Sequence, residues 1–199
     1  MKIFNYNPQI QNLDNYILSI QNAKEVSGVF INVILDTNFK LNLYIPNTNE
    51  FIPLEEFLEK FKNTNKTVII NMLLAYQLVT DQTSFEIANF NRTFVKQIKN
   101  LISNYPNTFY LSSINTSTLF FLNTKPNPYK VGTIITRADL TFIDVDFYVF
   151  SEYFININYI NSLLNQKKEI FIFPDNSNLA SQLPSEIRSQ LNYIIQTPN

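Results

Sequence analysis

The stretch Gly28-Val-Phe-Ile-Asn-Val-Ile-Leu-Asp-Thr-Asn-Phe-Lys-Leu-Asn-Leu43 decides how the rest of the chain is organised. Residues 29–35 are apolar, rich in β-branched side chains and interrupted by a single Asn, which is typical of a strand buried in a parallel sheet. Asp36-Thr37-Asn38 then predicts a polar turn. Residues 41–45 are predicted to form a small antiparallel addition to this strand.

Short apolar runs alternate with amphipathic segments along all 199 residues. Residues 85–105, for example, place Phe90, Phe94 and Ile98 along one stripe, as expected of an amphipathic helix. Eight short strands alternating with helices predict an α/β fold, a compact (β/α)8 TIM barrel with shortened loops and a reduced outer helix after the fifth strand. The whole chain, residues 1–199, is interpreted as a single barrel domain. The eight strands are expected at 2–5, 29–35, 67–72, 108–111, 130–135, 142–150, 169–173 and within 191–198. Besides the helix at 85–105, helices are expected at 14–23 and 157–164, one is expected to begin at about residue 53, and a short one is expected to include residues 119–122.

Composition excludes several classes of function. The chain carries 15 basic and 16 acidic residues for a net charge of −1, so it has no electrostatic footprint for nucleic acid. It has no Cys, hence no disulfide or thiolate site. It also has no His, which removes the usual general base near neutral pH and the commonest metal ligand. The surplus of Asn, Ile, Lys and Phe indicates an AT-rich genome.

Neither a membrane span nor a secretory signal is predicted. Residues 68–79 form the longest apolar stretch, but they contain Asn71 and Gln77 and are too short to cross a bilayer. Residues 1–19 lack the basic start and the small-residue cleavage site of a signal peptide. A cytoplasmic location is therefore predicted.

Residues 30–39 resemble the second barrel strand of the glycerophosphodiester phosphodiesterase family, a group of phospholipase C-like TIM barrels active in lipid metabolism. The family strand carries a Glu-x-Asp-Val pair of metal-binding carboxylates and is followed by a Thr-x-Asp-Gly turn. Phe30-Ile-Asn-Val resembles the strand, and Asp36-Thr-Asn-Phe resembles the turn. Phe30 and Asn32 therefore stand at the two carboxylate positions. A phenyl ring cannot ligate a cation, and a neutral amide lacks the charge that makes a hard-cation site tight.

Other segments resemble the same family in the same order, so the resemblance covers nearly the whole chain. Residues 14–20 are similar to its Glu-Asn-Thr-Leu-x-Ala-Phe segment, and residues 52–58 to its Pro-Thr-Leu-Glu-Glu-Val-Leu helix start. Residues 112–115, Ser-Ser-Ile-Asn, resemble its Ser-Ser-Phe-Asn. Residues 191–198 resemble its terminal Val-Asp-Gly-Ile-Ile-Thr-Asp-x-Pro. These matches imply the barrel fold of the family.

The chemical positions of the family are replaced. Asn5-Tyr-Asn stands where its His-Arg-Gly signature would be, and Ile45-Pro where its second histidine would be. Asn71 and Leu73 replace the Glu and Lys of its third strand. The resemblance thus implies that an ancestral Mg²⁺ or Ca²⁺ site is lost, and no cofactor, metal ligand or catalytic residue is predicted. The predicted vestigial pocket comprises Asn5, Phe30, Asn32, Asn71, Asn115 and Asp175.

Three functions are compatible with this sequence. The favoured one is a catalytically inactive relative of the phosphodiesterases, whose scaffold is reused for protein binding or self-assembly, since metal activation and proton transfer have both lost their groups. The second is a family enzyme with altered or residual activity on glycerophosphodiesters. It would use carboxylates such as Asp175, or Asp144 and Asp146, which are predicted to share one face of the sixth strand. The third is a small polyol- or phosphate-binding module lined by the four Asn residues of the predicted pocket.

Overall fold

The barrel is closed, as seen in a computed structural model that describes residues 1–6, 12–44, 51–73, 84–124, 126–135, 144–173 and 179–196. Eight parallel strands form the barrel, because β1 (Lys2–Asn5) pairs with both β2 (Gly28–Leu35) and β10 (Asn192–Gln196). The prediction of a compact (β/α)8 TIM barrel is confirmed. Continuing round the barrel from β2, the other strands are β5 (Thr67–Met72), β6 (Phe109–Ser113), β7 (Lys130–Ile135), β8 (Phe147–Ser151) and β9 (Glu169–Phe173).

A small antiparallel addition extends β2 beyond the barrel. β3 (Leu41–Leu43) pairs with residues 33–35 of β2, and β4 (Ile52–Pro53) pairs with β3. Asp36 fixes the turn between β2 and β3, because its Oδ1 atom accepts hydrogen bonds from the backbone amides of residues 38 and 40 at 2.9 and 2.8 Å. The predicted addition is therefore present, although β3 ends two residues earlier than expected.

Asparagine side chains start three of the helices on the outside of the barrel. The amide oxygens of Asn12, Asn115 and Asn156 each accept a hydrogen bond from a backbone amide of the first turn, at 2.9 to 3.1 Å. Such a cap satisfies an amide that the helix itself leaves unpaired. The helices are α1 (Leu13–Asn22), α2 (Leu54–Phe61), α3 (Ser84–Ile102), α4 (Thr116–Leu122), α5 (Ile157–Asn165) and α6 (Ser185–Arg188), with short 3-10 turns at Lys62–Thr64, Glu152–Phe154 and Leu179–Gln182.

Every second side chain of the barrel strands points inward and fills the interior. The outward side chains, such as Val29 and Ile31 of β2, pack beneath the helices in a second and larger core. The barrel is therefore a packed body and not a pore. The buried apolar side chains of its interior are Ile3, Phe30, Ile69, Tyr110, Phe147, Val149, Phe171 and Ile194.

Two glycines stand where a side chain would not fit. A Cβ atom on Gly132 would lie 2.4 Å from the ring of Phe147, which comes from the neighbouring strand β8. A Cβ atom on Gly28 would lie 2.3 Å from the backbone carbonyl oxygen of Thr67 on β5. The first obstacle is a side chain that can be exchanged, whereas the second is main chain.

The sixth barrel strand is shorter than predicted, and the prediction that Asp144 and Asp146 share one of its faces is wrong. β8 starts at Phe147, so both aspartates precede it at the amino-terminal rim of the barrel. Asp144 forms an ion pair with Lys168, and the Oδ2 atom of Asp146 accepts from the backbone amide of Val131 at 2.8 Å. On the strand these carboxylates would enter an apolar core, whereas at the rim water and polar partners satisfy them.

Most other predicted bounds are close to the observed ones. The strands expected at 2–5, 67–72, 130–135 and 169–173 have those bounds. The long helix α3 ends at Ile102 and not at residue 105, because the Tyr105 amide donates to the Ile102 carbonyl at 3.1 Å in a closing turn. The predicted start of the sixth strand and the predicted reduced helix lie outside the described residues.

We expect Gly132→Ala to lower the free energy of unfolding by about 1–3 kcal/mol, because the new methyl group overpacks the interior against Phe147. Adding Phe147→Leu should recover part of this loss, so that the two substitutions together cost less than the sum of their separate effects. Gly28→Ala should destabilise the chain as well, without any recovery from Phe147→Leu. Urea unfolding of these variants tests the contact, and strict additivity of Gly132→Ala and Phe147→Leu would contradict it.

Two neighbouring tyrosines differ in how their hydroxyl groups are satisfied. Tyr6 and Tyr16 are buried with their ring centroids 4.4 Å apart. The Tyr16 hydroxyl donates to the Phe4 carbonyl at 3.2 Å, whereas the Tyr6 hydroxyl has no hydrogen-bond partner among the described residues. Desolvation, followed by the charge of Glu56, raises the pKa of Tyr6 from 10.0 to about 12. The folded chain therefore holds this proton more tightly than the unfolded chain. The resulting stabilisation is complete below a pH of about 10 and is lost as the pH rises towards about 12.

Tyr6→Phe should raise the free energy of unfolding at neutral pH by about 1 kcal/mol, since it removes a buried hydroxyl without a partner. It should also make the loss of stability between a pH of about 10 and about 12 shallower, because one titrating group is gone. Tyr16→Phe is the matched control and should lower the stability by about 1 kcal/mol through the lost bond to Phe4. Urea unfolding at neutral and alkaline pH measures both effects. A destabilised Tyr6→Phe variant would contradict the absence of a hydrogen-bond partner for the Tyr6 hydroxyl.

Candidate functional site

The carboxyl-terminal mouth of the barrel brings four of the predicted pocket residues together. Asn5, Phe30, Asn32 and Asn71 lie at inward-facing positions on the three adjacent strands β1, β2 and β5. Asn5 is the register partner of Phe30, and Asn71 is the register partner of Asn32. Asn5 therefore lies level with Phe30, and Asn71 lies level with Asn32, one inward position nearer the mouth.

The side chain of Phe30 is only 2% exposed. Its ring meets that of Phe173 on β9 edge to face, with 5.4 Å between the centroids and an interplanar angle of 81°. This geometry is a favourable one for aromatic pairs. An apolar contact thus spans the upper part of the barrel, between the second strand of the chain and the seventh strand of the barrel.

The amides around Phe30 are incompletely satisfied. The Nδ2 atom of Asn71 donates to Oδ1 of Asn32 at 2.7 Å, and Asn71 is only 5% exposed. The Oδ1 atoms of Asn5 and Asn71 are buried without a hydrogen-bond partner among the described residues. A buried acceptor left unpaired costs free energy, so each such atom requires an explanation. Here two of them occupy inward positions on the two strands that flank β2.

The remaining two predicted pocket residues are not brought to this group by the described structure. The side chain of Asn115 caps α4, where its Oδ1 atom accepts from the Thr118 amide at 3.1 Å and lies 3.5 Å from Nδ2 of Asn91. Its own backbone amide donates to Oγ of Ser113 at 3.1 Å. Asp175 lies outside the described residues. The family resemblance alone had linked these two positions to the other four.

The donor set at the mouth does not fit a divalent cation. Hard cations take several oxygen ligands, usually with charged carboxylates among them. Phe30 offers none, and one amide oxygen of the group is already bonded to its neighbour. Across the described ranges, no three or more His, Cys, Asp or Glu side chains are grouped so that they could hold a metal ion.

A buried carboxylate close to the mouth escaped the sequence analysis. Glu152 directly follows β8, is almost completely buried, and accepts a hydrogen bond from the backbone amide of Ala180 at 2.8 Å. It thereby anchors the 3-10 turn Leu179–Gln182 to the end of β8. The sequence gives a weak signal for it, a lone Glu after an apolar strand, and its partner is 28 residues away.

A second polar group that the sequence analysis missed closes the opposite, amino-terminal end of the barrel. Lys130 and Glu169 form an ion pair, and the Tyr110 hydroxyl donates to Oε2 of Glu169 at 3.0 Å. The Nζ atom of Lys130 also lies 4.9 Å from the centroid of the Tyr110 ring. Desolvation lowers the pKa of Lys130, but the hydrogen bonds to Glu169 and Tyr110 outweigh it and raise that pKa overall. A cavity of about 380 Å³ lies beside this group.

No described helix has both the length and the apolar character needed to cross a membrane.

Comparison with solved structures finds the same architecture in phosphodiesterases. An Oleispira antarctica phosphodiesterase, solved in complex with the product sn-glycerol-3-phosphate, superposes with a TM-score of 0.72 at 12% identity, over 99% of this chain and 92% of that chain. A glycerophosphodiester phosphodiesterase from Parabacteroides distasonis gives a TM-score of 0.71 at 13% identity, over 98% and 92%. A putative glycerophosphoryl diester phosphodiesterase from Silicibacter pomeroyi gives 0.73 at 6% identity, over 98% and 89%. No protein-family model and no curated protein matches the sequence.

At such low identity the likeness concerns the fold alone. It extends over nearly the full length of both chains, so it is the whole barrel that is shared. The fold expected from the resemblance to glycerophosphodiester phosphodiesterases is therefore supported.

Proposed function

We propose that the chain is a catalytically inactive relative of the glycerophosphodiester phosphodiesterases, whose barrel is reused for protein binding or assembly. The observation that carries this proposal is the buried ring of Phe30, packed edge to face on Phe173. In the family resemblance, position 30 matches a metal-binding carboxylate. A phenyl ring that fills the same volume excludes both a cation and the water that would accompany it.

Neutral groups replace charged ones around Phe30. Asn32 and Asn71 bond to each other at 2.7 Å, and the chain contains no histidine. Metal-assisted hydrolysis of a phosphodiester requires a group that neutralises developing negative charge and a group that transfers a proton. The four residues Asn5, Phe30, Asn32 and Asn71 offer neither, so restoring one of these groups among them would still leave the other missing.

We expect no hydrolysis of glycerophosphocholine or of bis(p-nitrophenyl) phosphate by the purified chain in the presence of Mg²⁺ or Ca²⁺. Release of glycerol 3-phosphate or of nitrophenol should stay at the level of the buffer blank. The Parabacteroides distasonis protein, assayed in parallel, serves as the positive control for substrate and metal.

The variant Asn32→Leu separates weak activity of this chain from contamination. A trace rate that persists in Asn32→Leu, and that an identical preparation from host cells lacking the chain also shows, comes from another protein and leaves the proposal intact. A metal-dependent rate that Asn32→Leu abolishes would overturn the proposal, and would make the chain an enzyme of the family with altered or residual activity.

A second candidate function is a small polyol-binding module at the same mouth. The observation that favours it is the pair of buried, unpartnered Oδ1 atoms of Asn5 and Asn71. Both are acceptors, so they suit the hydroxyl donors of a polyol and repel the oxygens of a phosphate. The flanking ring of Phe30 would then pack on the carbon skeleton of the ligand.

For this candidate we expect glycerol, but not inorganic phosphate, to bind in ligand-observed NMR titrations. Asn71→Leu should abolish binding because it removes one acceptor. Asn115→Asp should leave binding unchanged, since an aspartate still caps α4 and Asn115 lies apart from the two acceptors. Equal binding of phosphate, or unchanged binding of glycerol by Asn71→Leu, would rule out this module.

A further inference from the structure

Exposed aromatic and large aliphatic side chains are concentrated at one end of the barrel. Of the eleven such side chains among the described residues, eight lie at the carboxyl-terminal ends of strands, in the β3–β4 addition or in the first turn of the following helices. Single exposed apolar residues are normal on a protein surface, but a concentration on one face is not. We call these eight residues the aromatic rim: Phe39, Tyr44, Phe51, Phe85, Ile114, Tyr153, Phe154 and Ile157.

The chain positions of these residues explain why they share one face. Phe39 lies in the turn after β2, and Ile114 directly follows β6. Tyr153 follows β8, and Phe85 is in the first turn of α3, which begins at the same end of the barrel. Parallel strands end on a common side, so these residues surround the mouth that contains Phe30.

The exposed area of the aromatic rim matches that of a stable protein interface. The exposed fractions run from 37% for Phe154 to 74% for Phe85. With about 200 Å² for each complete side chain, the exposed parts amount to about 800 Å². A standard interface buries about 800 Å² on each partner, so the rim alone supplies the required surface.

The charges at this face disfavour an anionic membrane as its partner. Among the described residues its edge carries Lys40 together with the carboxylates of Asp36, Glu55, Glu56 and Glu86. The whole chain has a net charge of −1, so two copies approach each other without strong repulsion. An anionic membrane surface, in contrast, attracts proteins through clusters of Lys and Arg, which this described face lacks.

The rim is also suited to contact with itself. In a twofold dimer the same patch occurs on both sides of the interface, so it must be complementary to itself. Aromatic rings pack against aromatic rings, and neutral amides both donate and accept hydrogen bonds. The exposed Asn38 and Asn156 stand beside Phe39 and Ile157, and they supply such amides at the edge.

We propose that the aromatic rim binds a second copy of this chain face to face, in a twofold dimer that covers both barrel mouths. This inference rests on the proposed function, because a mouth covered by a partner cannot admit a diester substrate. It specifies the assembly as a homodimer and assigns the interface to the carboxyl-terminal face.

The test is analytical ultracentrifugation of the full chain and of two matched double variants. Phe85→Ser with Tyr153→Ser removes the two most exposed side chains of the rim, at 74% and 66% exposure. Leu18→Ser with Phe120→Ser, at 55% and 71%, removes similarly exposed side chains of α1 and α4 that lie outside the rim. All four side chains are exposed, so both variants should fold, which circular dichroism checks.

We expect the unaltered chain to form a dimer, and the rim variant to raise the dimer dissociation constant at least about tenfold, because each substitution acts twice in a twofold interface. The control variant should dimerise like the unaltered chain. A monomer at all concentrations, or equal weakening by both variants, would overturn the interface. So would rim-dependent sedimentation of the chain with phosphatidylcholine or phosphatidylserine vesicles, which would assign the face to lipid.

The hydrolysis assay, run on the same samples, keeps the two proposals apart. A monomer without hydrolytic activity would refute the interface and leave the proposed inactivity intact. Hydrolysis of glycerophosphodiesters by the monomeric rim variant, but not by the dimer of the unaltered chain, would refute the inactivity and leave the interface intact.

Discussion

Closure of the sheet at β1 is the constraint on which the rest of the structure depends. Because β1 pairs with β2 on one side and with β10 on the other, every second side chain of eight strands must share one enclosed volume. The sequence meets this demand with large and small residues on neighbouring strands, as where Gly132 leaves room for Phe147. The alternation of inward and outward side chains along β2 both fills the barrel and places residues 30 and 32 at its mouth. A substitution at either position therefore changes the packing of the barrel and the chemistry of the site together.

Local patterns in the sequence were sufficient to predict the strands of the barrel, but they were insufficient to predict which side chains meet at its two ends. Strands such as 67–72 and 130–135 were predictable because a short run of mostly apolar residues is visible in the local sequence. The aspartates before β8 were misassigned, since a strand that is apolar on both faces gives no periodic signal for where it starts. The group of Tyr110, Lys130 and Glu169 could not be foreseen either, because it forms only when the register of β6, β7 and β9 brings three distant residues together.

The candidate site illustrates the same limit. The resemblance to a known family selected positions on β1, β2 and β5, and the barrel does bring Asn5, Phe30, Asn32 and Asn71 to one end. The resemblance could not indicate that the side chain of Asn115 caps a helix, because an Asn at the end of a strand and before a helix can either line the pocket or cap the helix. Nor could the resemblance reveal that Phe173, three strands away round the barrel, provides the ring on which Phe30 packs. Side-chain partners across a barrel are decided by its geometry and not by local composition.

Asparagine both caps helices and lines the barrel mouth, and this has a consequence for the chemical ageing of the chain. Slow hydrolysis of an asparagine amide produces an aspartate. At the helix starts of Asn12, Asn115 and Asn156 such a change is nearly silent, because a carboxylate caps a helix as well as an amide does and suits its dipole. At Asn71 it would place a charge in a site that is 5% exposed, beside the amide of Asn32. Spontaneous deamidation would therefore accumulate harmlessly on the outside of the barrel, while a single event at its mouth would loosen the packing there.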